Sequence, residues 1–284
     1  MKTTVIIPTL NARISIGKLL SALLSQDSET PEIIVIDSSS DDGTVDAAKE
    51  FGVKTMVIPR RTFNHGKTRN IAALEAQGGI IIFMTQDALP ADSALLRNLT
   101  APLLEKPEIA ATYGRHVPRP DAPPLEAFAR YFNYPDQGSV KGIDDIKKHG
   151  IKTFFFSNVC SSMKKEPFLK VGMFPENVKA NEDMLISAKF ILNGYRVEYV
   201  PEAMVIHSHN YSLQKLFRRY YNIGSSIKDN RRILEDMEAE GEGLRLVKEQ
   251  IRFAAKQGRY LWLPRIFLES FIKYAGYRSG LIAG

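Results

Sequence analysis

Residues 32–44 read Glu32-Ile33-Ile34-Val35-Ile36-Asp37-Ser38-Ser39-Ser40-Asp41-Asp42-Gly43-Thr44. The β-branched run from Ile33 to Ile36 reads as a strand, and its abrupt exchange for acids and hydroxyls reads as a loop that opens a helix at Thr44. The same grammar repeats outward from this stretch. Upstream lie a strand from Thr4 to Pro8 and a helical pattern from Ile14 to Leu24. Downstream come a helix from Thr44 to Phe51, a strand from Lys54 to Ile58, a helix from Lys67 to Ala76 and the wholly apolar strand Ile80 to Met84. Short apolar strands alternating with helices predict βαβ units, and strands this apolar are usually buried on both faces of a parallel sheet.

The second half is less regular. Residues 115–150 are rich in Pro, Gly and charge and read as loops with one short helix near Leu125 to Tyr131; compact domains tend to keep loops of this length for function. Order returns with Thr153 to Cys160, a helix near Glu166 to Val171, a helix from Glu182 to Asn193 ended by Gly194, and a strand from Arg196 to His207. From Leu213 the pattern is helical, broken by Gly241, Gly243, Gly258 and Pro264.

A chain of 284 residues with 44% hydrophobic and 25% charged residues is neither a disordered tail nor a fibre. Its net charge, 38 − 32 = +6, suits phosphate-bearing ligands, nucleic acid or an anionic membrane surface without choosing among them. Cys160 stands alone, which excludes an internal disulfide and a cysteine-built metal site. Met1-Lys2-Thr3-Thr4 leads straight into a strand without an apolar signal segment, so a cytoplasmic location is expected. The apolar runs fall far short of the roughly 20 residues of a bilayer span.

In open α/β sheets, ligands bind beyond the carboxyl ends of the strands, and three such places carry acids. One is the loop from Asp37 to Thr44. The second is Thr85-Gln86-Asp87-Ala88, where a carboxylate can ligate a hard cation holding a diphosphate. The third is Asn181-Glu182-Asp183, at a helix start. Taken singly, each has a simpler account: a helix cap, a strand-end turn, and acids that stabilise a helix dipole by roughly 0.3–1 kcal/mol. His207 and His209, spaced i and i+2, lack a recognisable third ligand nearby for structural zinc. Gly66-Lys67-Thr68 ends like a phosphate loop, but Arg61 stands where that loop needs its earlier glycine.

Taken in order, the segments point further. Val5-Ile6-Ile7-Pro8-Thr9-Leu10-Asn11, Ile34-Val35-Ile36-Asp37-Ser38 through Asp42-Gly43-Thr44, Asp87, Asn181-Glu182-Asp183, and Tyr199-Val200-Pro201-Glu202-Ala203 ending at His207 resemble a family 2 inverting glycosyltransferase of the GT-A type. The resemblance covers roughly the first 210 residues. Arg61-Thr62-Phe63-Asn64-His65-Gly66-Lys67-Thr68-Arg69-Asn70, Thr85-Gln86-Asp87-Ala88 and His207-Ser208-His209-Asn210-Tyr211-Ser212 are most similar to the branch that uses dTDP-rhamnose.

The resemblance implies a Rossmann-like α/β GT-A fold with a mixed, mostly parallel central sheet and a helical C-terminal extension. It implies a catalytic domain over 1–212, with a nucleotide-binding half (1–114) and an acceptor and catalytic half (115–212), and the extension over 213–284. Asp37 corresponds to the acid that accepts the N3–H of uracil or thymine, which favours UDP or dTDP donors. Asp42 is a further acid of that loop, Pro8 and Thr9 wall the base, and Gln86 lies in the donor site. Lys67 and Arg69, at a helix start, are candidates for the diphosphate. Asp87 corresponds to the last acid of the metal-binding D-x-D motif, whose first position is Thr85 here, so strict metal dependence is open. His207, ahead of His209, corresponds to a further ligand, and an imidazole favours Mn²⁺ over Mg²⁺. Asp183 corresponds to the general base, with Glu182 capping or orienting it. One of Arg218 and Arg219 is close enough in sequence to reach the diphosphate, although the family's Q-x-x-R-W motif is absent.

The implied activity is inverting, metal-assisted transfer of a sugar, L-rhamnose from dTDP-L-rhamnose, to a hydroxyl of a growing cell-surface glycan or lipid-linked acceptor. Alternatives are a UDP-sugar donor, or a catalytically silent nucleotide-binding homologue that scaffolds polysaccharide assembly. A sugar-phosphate nucleotidylyltransferase would need a Gly-rich basic loop where Pro8-Thr9-Leu10-Asn11 stands. In the C-terminal segment, Lys215, Arg218, Arg219, Lys228, Arg231 and Arg232 mix with Phe217, Tyr220 and Tyr221, and Trp262, Phe267, Phe271 and Tyr274 follow at near-helical spacing. This pattern suits a peripheral helix at the inner face of the cell membrane, a helix packed on the catalytic body, or a homodimer contact. No nucleic-acid module accompanies the charge.

Overall fold

The computed structural model describes residues 1–230 and 240–283. In chain order its elements begin β1 (Thr3–Thr9), α1 (Arg13–Leu24), β2 (Glu32–Asp37), α2 (Thr44–Lys49), β3 (Lys54–Val57), α3 (His65–Glu75), β4 (Ile80–Met84), β5 (Leu89–Pro90), α4 (Leu95–Glu105) and β6 (Ile109–Val117). They continue with α5 (Pro124–Asn133), β7 (Ser139–Lys141), α6 (Ile146–His149), β8 (Cys160–Lys164), α7 (Lys165–Lys170), α8 (Glu182–Leu192), β9 (Arg196–Ile206), α9 (Leu213–Asp229), α10 (Glu240–Lys256) and α11 (Leu263–Ala283).

Among the described residues the strands form one mixed sheet in the order β3-β2-β1-β4-β8-β6-β9-β5, with β7 also on β9. The long ladders are parallel: β1 with β2 and β4, β2 with β3, and β6 with β9. Strand β8 enters antiparallel between β4 and β6, and β5 and β7 pair antiparallel with β9. Successive strand residues point to opposite faces. Accordingly Ile6, Ile34, Ile36, Ile81 and Phe83 join one core with α3, α7 and α8, while Val5, Ile7, Ile33, Val35, Ile80 and Ile82 join the other with α1, α2 and α4. Phe83 stands between the rings of Phe168 and Phe174, at 5.8 and 5.1 Å. Removing so buried a ring costs about 3–5 kcal/mol.

The structure departs from the sequence reading in three places. Thr153 to Cys160 is not one regular element: a 3₁₀ turn runs to Phe154 and the strand begins only at Cys160, because Phe154 and Phe156 serve as core plugs and are fully buried without strand pairing. The long stretch 115–150 contains the end of β6, a full helix α5 and the edge strand β7. Gly241 and Gly243 lie inside α10, and Pro264 sits in the first turn of α11, where its missing N–H has no partner to lose; only Gly258, at φ +63°, marks a break. Arg231 and Arg232 lie outside the described residues.

The C-terminal helices are packed against the body. Phe253 of α10 stacks on Phe128 of α5 at 4.8 Å, and Leu125, Ala254 and Ile266 form a small core between α5, α10 and α11. Helices α9 and α11 meet backbone to backbone. A Cβ on Gly280 would lie 2.1 Å from the Tyr221 carbonyl oxygen, and one on Gly224 would lie 2.2 Å from that of Tyr277. No described helix is long and apolar enough to cross a membrane.

Candidate active site

The carboxyl ends of β1 and β4, the loop before β8, the start of α8, the end of β9 and one face of α9 surround a cleft of about 420 Å³. Pro8, Thr9, Arg69, Gln86, Asp87, Asp183 and His207 all line it, so residues drawn from five separate stretches of the chain converge. Asp37, Asp42 and Lys67 do not line it.

The β1–β4 corner is locked by reciprocal bonds: the Leu10 N–H donates to Gln86 Oε1 at 2.8 Å, and Gln86 Nε2 donates to the Leu10 carbonyl at 3.1 Å. Asp37 is fully buried. Its carboxylate accepts the Thr9 hydroxyl at 2.8 Å and both the N–H and the hydroxyl of Ser40 at 2.7 and 2.6 Å. Asp42 is exposed and accepts the Arg13 N–H and the Thr44 N–H and hydroxyl, which join the starts of α1 and α2 and hold its carboxyl below the usual range.

The segment Asn64 to Asn70 holds a loop. Asn64 caps α3 by accepting the N–H groups of Gly66 and Lys67, and donates from Nδ2 to the Val178 carbonyl at 2.9 Å. Gly66 passes so close to Pro175 that a Cβ would lie 2.2 Å from its carbonyl oxygen. Asn70 both donates to the Phe174 carbonyl and accepts the Phe174 N–H. Arg69 is 3% exposed and pairs with the buried Glu182 at 3.3 Å, so this guanidinium is already engaged. Lys67 points to solvent.

Asp183 stands in the first turn of α8, one residue after Glu182 and two after Asn181, whose φ of +64° turns the chain sharply into the helix. Burial, followed by the neighbouring negative charge of Glu182, raises its carboxyl to about 7, against the opposing pull of the Met184 N–H, Arg219 and Arg69. A carboxyl so poised accepts a proton readily near neutral pH.

At the opposite wall, Asp87, His207 and His209 bring ligand atoms within 4.8 Å of one another. Asp87 Oδ2 lies 3.5 Å from His207 Nε2 and 3.8 Å from His209 Nδ1. Burial works against the Asp87 charge, but the hydrogen bond and charge of His207 outweigh it and hold the carboxyl well below its ordinary range. His209 is lowered to about 4, by burial first and then by His207, so it is a neutral imidazole at pH 7. One carboxylate and two imidazoles form a donor set that fits a divalent cation of the Mn²⁺ kind. The acidic side chain that stands beside the two histidines is Asp87, 120 residues upstream of His207, which no spacing in the sequence shows. His209 enters the cluster on equal terms with His207, where Thr85 offers no carboxylate.

Sequence reasoning missed several lining residues. Ser157 and Asn158 lie at the end of the Phe-rich run that suggested continuous order, and Asn158 Nδ2 reaches Glu182 at 3.4 Å. His65 and Phe63 were inside a motif read for its cations, and Tyr211 follows the histidines directly. Of Arg218 and Arg219, Arg219 lines the cleft, its guanidinium 5.7 Å from the Tyr211 ring centre, and Ile223 lies one turn further along α9.

The sequence profile described as Glycosyl transferase family 2 matches residues 4–172. Over 283 residues the chain is 42% identical to the O-antigen chain rhamnosyltransferase RfbN of Salmonella typhimurium, spanning 99% of this chain and 90% of that protein. It is 38% identical over 280 residues to the O-antigen chain rhamnosyltransferase WbaN of Salmonella anatum, spanning 98% and 88%. Among solved structures, the mannosyltransferase PcManGT from Pyrobaculum calidifontis in complex with GDP-Man and Mn²⁺ is similar with a TM-score of 0.62 at 20% identity, over 99% of this chain and 73% of that one. At that identity the likeness is one of fold.

Proposed function

The chain belongs to glycosyltransferase family 2 and has the GT-A fold, and on that premise we propose that it transfers L-rhamnose from dTDP-L-rhamnose, with inversion, to a hydroxyl of a growing cell-surface glycan or its lipid-linked form. The observation that carries the reading is the convergence in one cleft of Asp183, with its carboxyl raised to about 7, and the Asp87, His207 and His209 cluster. Full-length similarity to two O-antigen chain rhamnosyltransferases supports the choice of sugar and the class of acceptor.

Asp87, His207 and His209 are the residues that would hold a divalent cation, Mn²⁺ or Mg²⁺, which when bound supplies positive charge to the donor diphosphate. Asp183 takes the proton from the acceptor hydroxyl as that oxygen attacks the anomeric carbon opposite the diphosphate, and a single displacement inverts the configuration. One carboxylate suffices because a diphosphate leaves as an anion and needs no acid, unlike the leaving group of a glycosidase. Arg219 adds cationic charge on the leaving-group side, while Lys67, which faces solvent outside the cleft, is left without that role. Pro8, Thr9 and Gln86 wall the nucleotide end, and Asp37 and Asp42 act there through Thr9, Ser40 and the start of α2. Residues 1–212 form the catalytic body and 213–284 the extension, with α11 as a peripheral contact to the inner membrane face.

The test is a thermal-shift panel of dTDP, UDP, GDP and CDP with and without Mn²⁺, followed by rhamnosyl transfer to lipid-linked glycan in a membrane preparation. Metal-dependent stabilisation by dTDP and transfer from dTDP-L-rhamnose are expected. A shift with UDP alone moves the donor to a UDP-sugar. No shift with any nucleotide removes the catalytic reading in favour of a scaffolding homologue.

A further inference from the structure

Asp183 comes just after the eleven-residue connection between α7 and α8, 171–181, which has no regular structure of its own, so contacts from outside it must set where the carboxylate stands. Three anchors are visible. Lys189 of α8 donates to the carbonyls of Gly172 and Met173 at 3.1 and 2.8 Å. The start of α3 grips the middle, through Asn70 at Phe174 and Asn64 at Val178. The last anchor along the connection itself comes from the C-terminal helices: the Ala180 N–H donates to Ser226 Oγ at 3.1 Å, just before Glu182 is held by Arg69 and Asn158. Ser226 is 1% exposed and lies 46 residues beyond its partner. The next residue after Ala180 is Asn181 in its left-handed conformation, and α8 begins immediately after it.

Ser226 shares a helix face with Arg219 and Ile223, at i, i+4 and i+7 on α9, and both of those line the cleft. The depth of α9 is fixed in turn by α11, since Gly224, Gly276 and Gly280 let the two backbones touch at the carbonyls of Tyr277, Phe217 and Tyr221. Shifting α11 therefore shifts the hydroxyl that holds Ala180.

We infer that Ser226 is a positioning residue for Asp183: the C-terminal helical pair, through the Ser226–Ala180 hydrogen bond, sets the turn that aims the catalytic carboxylate. The inference rests on the assignment of Asp183 as the base. Ser226 touches neither donor nor acceptor, so its loss alters the chemical step and leaves donor binding intact. Misplacing a catalytic group by about 1 Å can cost of the order of 10²-fold in rate.

The experiment measures transfer from dTDP-L-rhamnose to lipid-linked glycan by Ser226→Ala, Ser226→Thr, Asp183→Asn and the Ser226→Ala/Asp183→Asn double variant. In Ser226→Ala, kcat is expected to fall at least about tenfold while donor KM and the dTDP thermal shift stay within about twofold of the parent. Ser226→Thr, which keeps the hydroxyl, is expected to retain parent kcat. In the Asp183→Asn background, Ser226→Ala is expected to add no further loss. Should Ser226→Ala fail to fold, Ser226→Cys, similar in shape but a much weaker acceptor, takes its place with the same expectation. Parent-level kcat in Ser226→Ala, or losses that multiply in the double variant, overturns the positioning role. Parent-level activity in Asp183→Asn instead overturns the base assignment itself, so the two failures are distinguishable.

Discussion

Asp183 is drawn in two directions. As the base of the proposed transfer it would have to be ionised to accept a proton, yet burial and the adjacent Glu182 disfavour its charge and raise its carboxyl to about 7. Activity should therefore rise with pH: kcat/KM is expected to fall as pH drops through about 7, where the base becomes protonated. Stability follows the opposite sign. The folded carboxyl keeps a proton that the unfolded chain, near the ordinary 3.8, has already released, so this group favours the fold at low pH and that contribution is lost as pH rises through 7. Asp183→Asn is expected to lower kcat by about 10²- to 10⁴-fold and to leave the fold less sensitive to pH between 4 and 7; near-parent transfer at unchanged stability sinks the assignment. The metal cluster gives a second expectation at this scale. Asp87→Ala and His209→Ala should each weaken Mn²⁺ binding at least about tenfold, read by titration calorimetry on the free protein, and unchanged affinity in His209→Ala returns the site to Asp87 and His207 alone. Residues at element ends were legible in sequence because the end of an apolar strand or a helix start is marked by composition. Asp87, His207 and Asp183 are of this kind. His209 as an equal member of the cluster was not legible, because it depends on the separation of strands β4 and β9, and neither was the Arg69–Glu182 pair, which spans 113 residues.

Elements with a clean period were legible as well. Ile80 to Met84 is β4 with the same ends, since a wholly apolar run bounded by Gly79 and Thr85 has few other readings. The Phe-rich run before Cys160 was not, because burial of Phe154 and Phe156 is achieved by a turn tucked under the sheet and apolarity alone does not distinguish that from strand pairing. Glycine was read as a helix breaker, and Gly224, Gly276 and Gly280 do the reverse: they admit the neighbouring backbone inside intact helices. This distinction is testable. Gly280→Ala forces a methyl group to within 2.1 Å of the Tyr221 carbonyl oxygen, so α9 and α11 must separate. The expected loss is about 1–3 kcal/mol in denaturant unfolding, even though alanine is the better helix former. A neutral or stabilising Gly280→Ala would mean the two helices are not held at that distance in solution.

Across the whole molecule the charge is uneven. Residues 256–283 hold five basic side chains, Lys256, Arg259, Arg265, Lys273 and Arg278, against one acid, Glu269, so 5 − 1 = +4 of the net +6 lies in this last tenth of the chain. The same stretch exposes Phe267, Phe271 and Tyr274 at i, i+4 and i+7 on α11, with Phe271 68% exposed, and Leu261 and Tyr260 project just before it. An exposed apolar stripe of this kind normally meets something. A second copy of the chain would bring two positively charged segments together, which like-charge repulsion opposes. An anionic bilayer supplies both a sink for the aromatic rings and countercharge for the lysines and arginines, each worth about 1 kcal/mol near such a surface. The expectation is binding to vesicles containing anionic lipid, weakening with salt, absent on neutral vesicles, and reduced about tenfold or more by Phe271→Ser, since burying one aromatic side chain contributes about 1.5–3 kcal/mol. Because α11 also sets the depth of α9, a membrane contact on its outer face would bear on the helix whose inner face reaches Ala180. Vesicle flotation at low and high salt decides it: failure to float with anionic lipid at low salt, together with a concentration-dependent dimer by sedimentation, assigns the stripe to a second copy instead.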